Sequence, residues 1–171
     1  MRIALAVGLI VASAASPAFA ADNADPCSSF SWPMTAERTL LAAAMHTQVK
    51  DGGFIERAAP LSFALALVPD KDANFALVPQ KAPSPSGYGA SIGVDAPPAE
   101  GDYLITLSSE GWIDLIQNGA SVASTAHSSA MNCPGMRKSV KFHLAAGAPL
   151  TIQISSAPGP GIDVAITPAA N

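Results

Sequence analysis

From Leu61 onward the chain alternates large apolar residues with small or polar ones. Leu61, Phe63, Leu65 and Leu67 are separated by Ser62, Ala64, Ala66 and Val68, and a period of two places the large side chains on one face of a β-strand. The same rhythm returns at Tyr103, Ile105 and Leu107, at Trp112-Ile-Asp-Leu-Ile116, at Val140, Phe142 and Leu144, at Leu150, Ile152 and Ile154, and at Ile162, Val164 and Ile166. Ser109-Glu110-Gly111 and Pro158-Gly-Pro-Gly161 read as turns between these segments. Asn118-Gly119 predicts a two-residue hairpin, because its turn needs positive φ at both positions, with Ala120 to Ser124 as the returning strand. Phe75 to Val78 suggests a further short strand, Pro79 to Gly87 a surface loop, and Thr125 to Met136 a second loop.

The segment before Pro60 follows other rules. Residues 21–34 are polar and turn-like, after which Thr35 can cap a short helix over Ala36 to Met45, with Leu40, Leu41, Ala44 and Met45 on one side. Gly52-Gly53 stops that helix. Half-buried strands at roughly ten-residue intervals predict an all-β fold, a small antiparallel β-sandwich of jelly-roll or related type, whose polar faces meet water. Periodicity fixes the faces and not the closure, so a closed barrel is the alternative. The expected organisation is a leader at 1–20, an N-terminal arm at 21–60 and the sandwich at 61–171.

The leader is read from Met1-Arg2, the uncharged run Ile3 to Ala15, and an Ala-x-Ala ending at Ala20. This is the pattern of a secretory signal peptide cleaved after Ala20. Ser13, Ser16 and Pro17 interrupt the run and Asp22 and Asp25 follow it, which argues against a membrane span, a feature that needs about 20 apolar residues. The mature chain is therefore expected in the periplasm or secreted. An oxidising address makes Cys27 and Cys133 a disulfide, with two free thiols as the alternative.

Of the 49% hydrophobic residues many are alanine, so bulky core side chains are fewer than that fraction suggests. A content of 13% charged residues is nonetheless far from the signature of disorder. A net charge of −4 with no basic run beyond Arg137-Lys138 excludes a nucleic-acid partner or a polybasic membrane-surface role.

Particular runs of the chain carry two resemblances. Gly101-Asp-Tyr-Leu-Ile-Thr-Leu, Trp112-Ile-Asp-Leu-Ile and Leu150-Thr-Ile-Gln-Ile-Ser155 resemble the punctuation of bacterial pre-peptidase C-terminal-like β-sandwich modules over about the last 75 residues. Cys27-Ser-Ser-Phe30-Ser-Trp32, Trp112-Ile-Asp114, and Cys133-Pro134 before Lys138-Ser-Val140-Lys-Phe142 are similar to a group of small exported alphaproteobacterial proteins, some of which carry the name homogentisate 1,2-dioxygenase. That enzyme class is far longer, works in the cytoplasm and binds iron through two His and one Glu. Three histidines without a third ligand do not match it, and the activity is not carried over.

Candidate chemistry is sparse. His127, Met131, Cys133 and Met136 are the densest soft donors and could handle copper, although a disulfide would remove Cys133. His143 falls on a solvated face, and His46 sits near a helix C-terminus, where its charge is favourable. Asp95, Glu100 and Asp102 lack calcium-loop spacing and read as a solvated acidic turn. No Gly-x-Ser-x-Gly elbow is present, and Ser128 and Ser129 are merely adjacent to His127. Among Trp32, Tyr88, Tyr103 and Trp112, Tyr103 alternates with core residues. If Ile113 and Leu115 point inward, Trp112, Asp114 and Ile116 share the outer face as a recognition patch, the alternative being a buried Trp112. The expected function is a non-catalytic module without a cofactor that binds a protein partner or small ligand, with copper handling as the alternative.

Overall fold

In the computed structural model, which describes residues 25–170, strand pairing begins at Thr47 rather than Leu61. The leader lies outside the described residues. Helix α1 (Thr35–Leu41) precedes β1 (Thr47–Lys50), β2 (Phe54–Ile55), β3 (Leu61–Ala66), β4 (Val68–Pro69) and β5 (Tyr88–Val94). Then come β6 (Gly101–Leu107), β7 (Trp112–Gln117), β8 (Ala120–Val122), β9 (Ser124–Ser129), β10 (Lys138–Leu144), β11 (Leu150–Ala157) and β12 (Gly161–Pro168). One sheet has the order β1-β3-β12-β6-β10-β9; the other runs β2-β5-β11-β7-β8, with β4 beside β5. Two separate six-stranded sheets make a sandwich-like fold and not a closed barrel. The central ladders are antiparallel, but β1 joins β3 and β2 joins β5 in parallel, so both sheets are mixed.

The alternating residues fill the space between the sheets. Leu61, Phe63, Leu65, Ile105, Leu107, Phe142, Leu144, Val164 and Ile166 come from the first sheet and Ile92, Leu115, Ile152 and Ile154 from the second, each at most 2% exposed. Burial of each such side chain contributes about 1.5–3 kcal/mol before ordering costs are subtracted. Asn118 and Gly119 take φ of 53° and 74°, as the hairpin requires. After Val122 the chain crosses from one sheet to the other, so β9 takes up Ser124 from the expected returning strand and 125–129 from the expected loop, while 130–137 remain a loop.

Helix α1 stops at Leu41, four residues short of expectation. Met34 occupies the cap position with no side-chain cap bond, Thr35 is already helical, and Glu37 is the buried helix residue. Met45 is 90% exposed. Pairing of Thr47–Lys50 with β3 outweighs the helix propensity of the alanines before it. Phe75–Val78 is not a strand, whereas Tyr88–Val94 and Ser124–Ser129 are.

The outer faces do not simply meet water. Residues 25–46 roof the first sheet. The Ser31 N–H donates to Ser128 Oγ at 2.9 Å, the Thr167 hydroxyl donates to the Glu37 carboxylate, and Ser62 Oγ donates to the Leu40 carbonyl at 3.1 Å. A satellite core of Cys27, Phe30, Met34, Ala130, Cys133 and Met136 sits beneath this arm. Cys27 and Cys133 are bonded, with Cα atoms 4.5 Å apart. The second sheet is crossed by the irregular segment 73–87. Its backbone is clipped by the Gln153 side chain at Leu77, by Asp114 at Gln80 and by Ser156 at Ser84.

Candidate functional site

Sandwiches closed by two sheets leave open sides where edge strands meet. On the β8–β9 side, the turn before β7 and the start of β10 come together. Gly111 packs closely there: a Cβ would lie 3.1 Å from Leu107 Cδ1 and 3.3 Å from Ile154 Cγ2, so a side chain would push these neighbours aside by a few tenths of an ångström. The Arg137 N–H donates to the Leu107 carbonyl at 2.8 Å, fixing Lys138 at the head of β10. Trp112, Ile113, Ser124, His127, Lys138 and Val140 line a cleft of about 180 Å³. Trp112, Ile113 and Val140 give it apolar walls; Lys138, His127 and Ser124 supply polar groups.

Trp112 is held rigidly. Its indole N–H donates to Asp114 Oδ1 at 2.8 Å, while Asp114 Oδ2 accepts the Gln80 N–H at 3.1 Å. The Lys138 ammonium lies 5.0 Å from the Trp112 ring centre and the Lys81 ammonium 5.5 Å, within cation–π range. Lys138 Nζ also donates to the Gly111 carbonyl at 3.0 Å. Burial pushes the Lys138 pKa down; nearby Glu110 opposes that shift, and Lys81 and Arg137 reinforce it. Glu110 itself pairs with Arg137.

The outward trio is therefore partly hidden. Ile113 and Leu115 do point into the core, but Asp114 is 4% and Ile116 6% exposed. The segment 73–87 reaches Asp114 and corrects the picture of an open patch to one of a half-buried Trp112 beside a cleft.

The soft-donor set is dispersed in role. His127 lines the cleft, Cys133 is bonded to Cys27, Met136 is 1% exposed in the satellite core and Met131 is 82% exposed. Among the described residues no group of three His, Cys, Asp or Glu is placed to hold a metal ion. His46 meets the Leu40 carbonyl at 3.0 Å and Asp163 at 3.2 Å, joining the helix end to β12. His143 is exposed and bonds Asp102 at 3.0 Å; that bond and the Glu100 contact raise its pKa. Tyr103 is buried and donates to the Ala99 carbonyl at 2.9 Å. Ser128 is spent on Ser31. No helix among the described residues is long and apolar enough to cross a membrane.

Lys138, Lys81 and Ser124 were not legible as site residues. Their convergence depends on the sheet crossover after Val122 and on the path of residues 73–87, neither of which periodicity encodes. A lysine opening one strand and a tryptophan opening another are the available signal, and the two strands lie in different sheets.

No protein-family model matches the chain, and no curated protein matches it. Among solved structures, the chain is similar to a β-glucosidase from Kluyveromyces marxianus in complex with glucose, with 18% identity and a TM-score of 0.32. The match covers 50% of this chain and 10% of that one.

Proposed function

We propose that this chain is an exported, non-catalytic β-sandwich module that binds a small ligand in the Trp112 cleft. The single observation behind this reading is the convergence of a fixed indole, two apolar core residues and a partly buried ammonium on one concavity. Ligand sites typically combine apolar walls with a few placed polar groups. Export is supported by the Cys27–Cys133 bond, since disulfides persist in oxidising compartments.

The test uses the two indole N–H resonances, because Trp32 and Trp112 are the two tryptophans of the chain. A fragment library screened by ¹⁵N–¹H correlation spectra is expected to yield compounds that move the Trp112 indole and leave Trp32 in place. Trp112→Ala should weaken such compounds at least about tenfold, roughly 1.4 kcal/mol. A library in which every hit perturbs other residues, or binds Trp112→Ala equally well, overturns the reading.

A further inference from the structure

We propose that the occupant of the Trp112 cleft is a small monoanionic carboxylate with a short apolar tail. This rests on the cleft being a ligand site and adds the charge and size of what it holds. Charge comes first. Among the described residues, neither Lys138 nor Lys81 has a carboxylate within 4.0 Å of its ammonium. Glu110 is engaged by Arg137, and both Asp114 oxygens accept hydrogen bonds, from Trp112 and Gln80. The lining itself thus holds the Lys138 ammonium, with no carboxylate partner, and His127; the Lys81 ammonium lies 5.5 Å from the centre of the Trp112 ring, and the carboxylate of Asp114 is turned to the Trp112 and Gln80 N–H groups, in a chain whose net charge is −4.

Donor capacity comes second. Lys138 carries three N–H donors, of which the Gly111 carbonyl accepts one. Ser124 and His127, on the edge strand, supply further hydrogen-bonding groups to the same cavity. Removal of Lys138 from bulk water, the cause of its lowered pKa, is offset when an anion arrives beside it. A carboxylate accepts from such a donor set, whereas a cation would meet repulsion from both lysines.

Size and polarity come third. A cleft of about 180 Å³ equals the liquid volume of about six waters, enough for a carboxylate and a few methylenes. Trp112, Ile113 and Val140 offer those methylenes apolar contact. A dianionic phosphate would press its second charge and its hydration against these walls at a desolvation cost.

Titration of the ¹⁵N-labelled, disulfide-bonded chain with butyrate, butyramide, butylammonium and inorganic phosphate tests this. Butyrate should move the Trp112 indole resonance saturably and leave Trp32 still. Butyramide, its neutral isostere, should bind at least about tenfold more weakly, and butylammonium and phosphate more weakly than butyrate. Lys138→Met, which keeps the aliphatic stem, should lose at least about tenfold in butyrate affinity, while Lys138→Arg retains it; the remaining resonances report that each variant is folded. Equal binding of butyrate and butyramide, tighter binding of phosphate, or undiminished affinity in folded Lys138→Met overturns the proposal. If neutral fragments still titrate Trp112 in that case, the ligand-site reading stands and only the anion assignment falls. Should no compound at all move Trp112, both fall together.

Discussion

Ser156 is a non-glycine residue at φ 58°, in the region that L side chains rarely adopt. It sits where the β11 register against β5 shifts between Ile154 and Ala157, so its N–H has left the ladder. Asp70 receives that N–H, with oxygens at 3.0 and 3.3 Å. The carboxylate can reach it because Gly87 and Gly89 have no side chains: a Cβ there would come within 2.3 and 2.4 Å of the Asp70 oxygens. Burial raises the Asp70 pKa above 3.8, the Ser156 bond pulling in the other direction. A carboxyl with a raised folded-state pKa contributes stability fully present below its unfolded value and lost as pH climbs through the folded one. Asp70→Asn keeps an acceptor for Ser156 and cannot ionise. Its urea midpoint relative to the parent should therefore rise as pH increases from below 3.8 and level off once Asp70 is fully charged. A midpoint difference independent of pH would show that ionisation of Asp70 is not the cause.

At the scale of elements, residues 73–87 run over the second sheet without being a strand. Gln153, 1% exposed, uses its Oε1 to accept the Leu77 N–H at 2.8 Å and its Nε2 to donate to the Leu77 carbonyl at 3.1 Å. One side-chain amide thus takes the place of a neighbouring strand. Gln153→Ala removes both bonds, at an expected cost of about 1–3 kcal/mol. Hydrogen exchange should speed up at Leu77 and Gln80 by about tenfold or more while core amides of β6 and β10 keep their protection relative to global stability. Uniform acceleration across both sheets would instead make Gln153 a member of the global core. This clip also explains the misreading of Phe75–Val78, whose apolar run is tied across the sheet rather than along it. Strands with large alternating residues, such as Leu61–Leu67 and Ile162–Ile166, were legible because burial of one face specifies them. Tyr88–Val94 was not, since Gly89, Ala90, Ser91 and Gly93 carry too little side chain to show a period. Gly93 instead makes room for the Phe54 ring, which a Cβ would meet at 2.3 Å. Ser124–Ser129 escaped notice because an edge strand with polar side chains looks like a loop. Of the cleft, Trp112 and His127 stood out as residue types; the lysines did not.

At the scale of the whole molecule there are two cores, and the disulfide lies within the smaller one, tying the arm to the β9–β10 connection. The sandwich core takes its residues from both sheets, whereas the satellite core takes Cys27, Phe30 and Met34 from the arm and Ala130, Cys133 and Met136 from the β9–β10 connection. None of the arm residues 25–46 belongs to the buried main cluster, so the sandwich can keep its packing when the arm is released. Closing a chain segment with a sequence separation of 106 is worth roughly 4–5 kcal/mol in loop entropy, with measured losses of about 2–5 kcal/mol. The double variant Cys27→Ala, Cys133→Ala should therefore retain a β-sheet circular dichroism spectrum, melt at lower temperature, and exchange the amides of Phe30 to Leu41 much faster than those of β6 or β12. Trp32, packed against the satellite core and facing the Lys141 ammonium at 5.2 Å, should shift its indole resonance more than Trp112 does. A smaller response is expected at Lys138, because the connection that ends at Met136 leads directly into the cleft. Unchanged arm exchange in the double variant would mean that the polar contacts of Ser31, Glu37 and His46 hold the arm unaided, and that the disulfide fixes the β9–β10 connection alone.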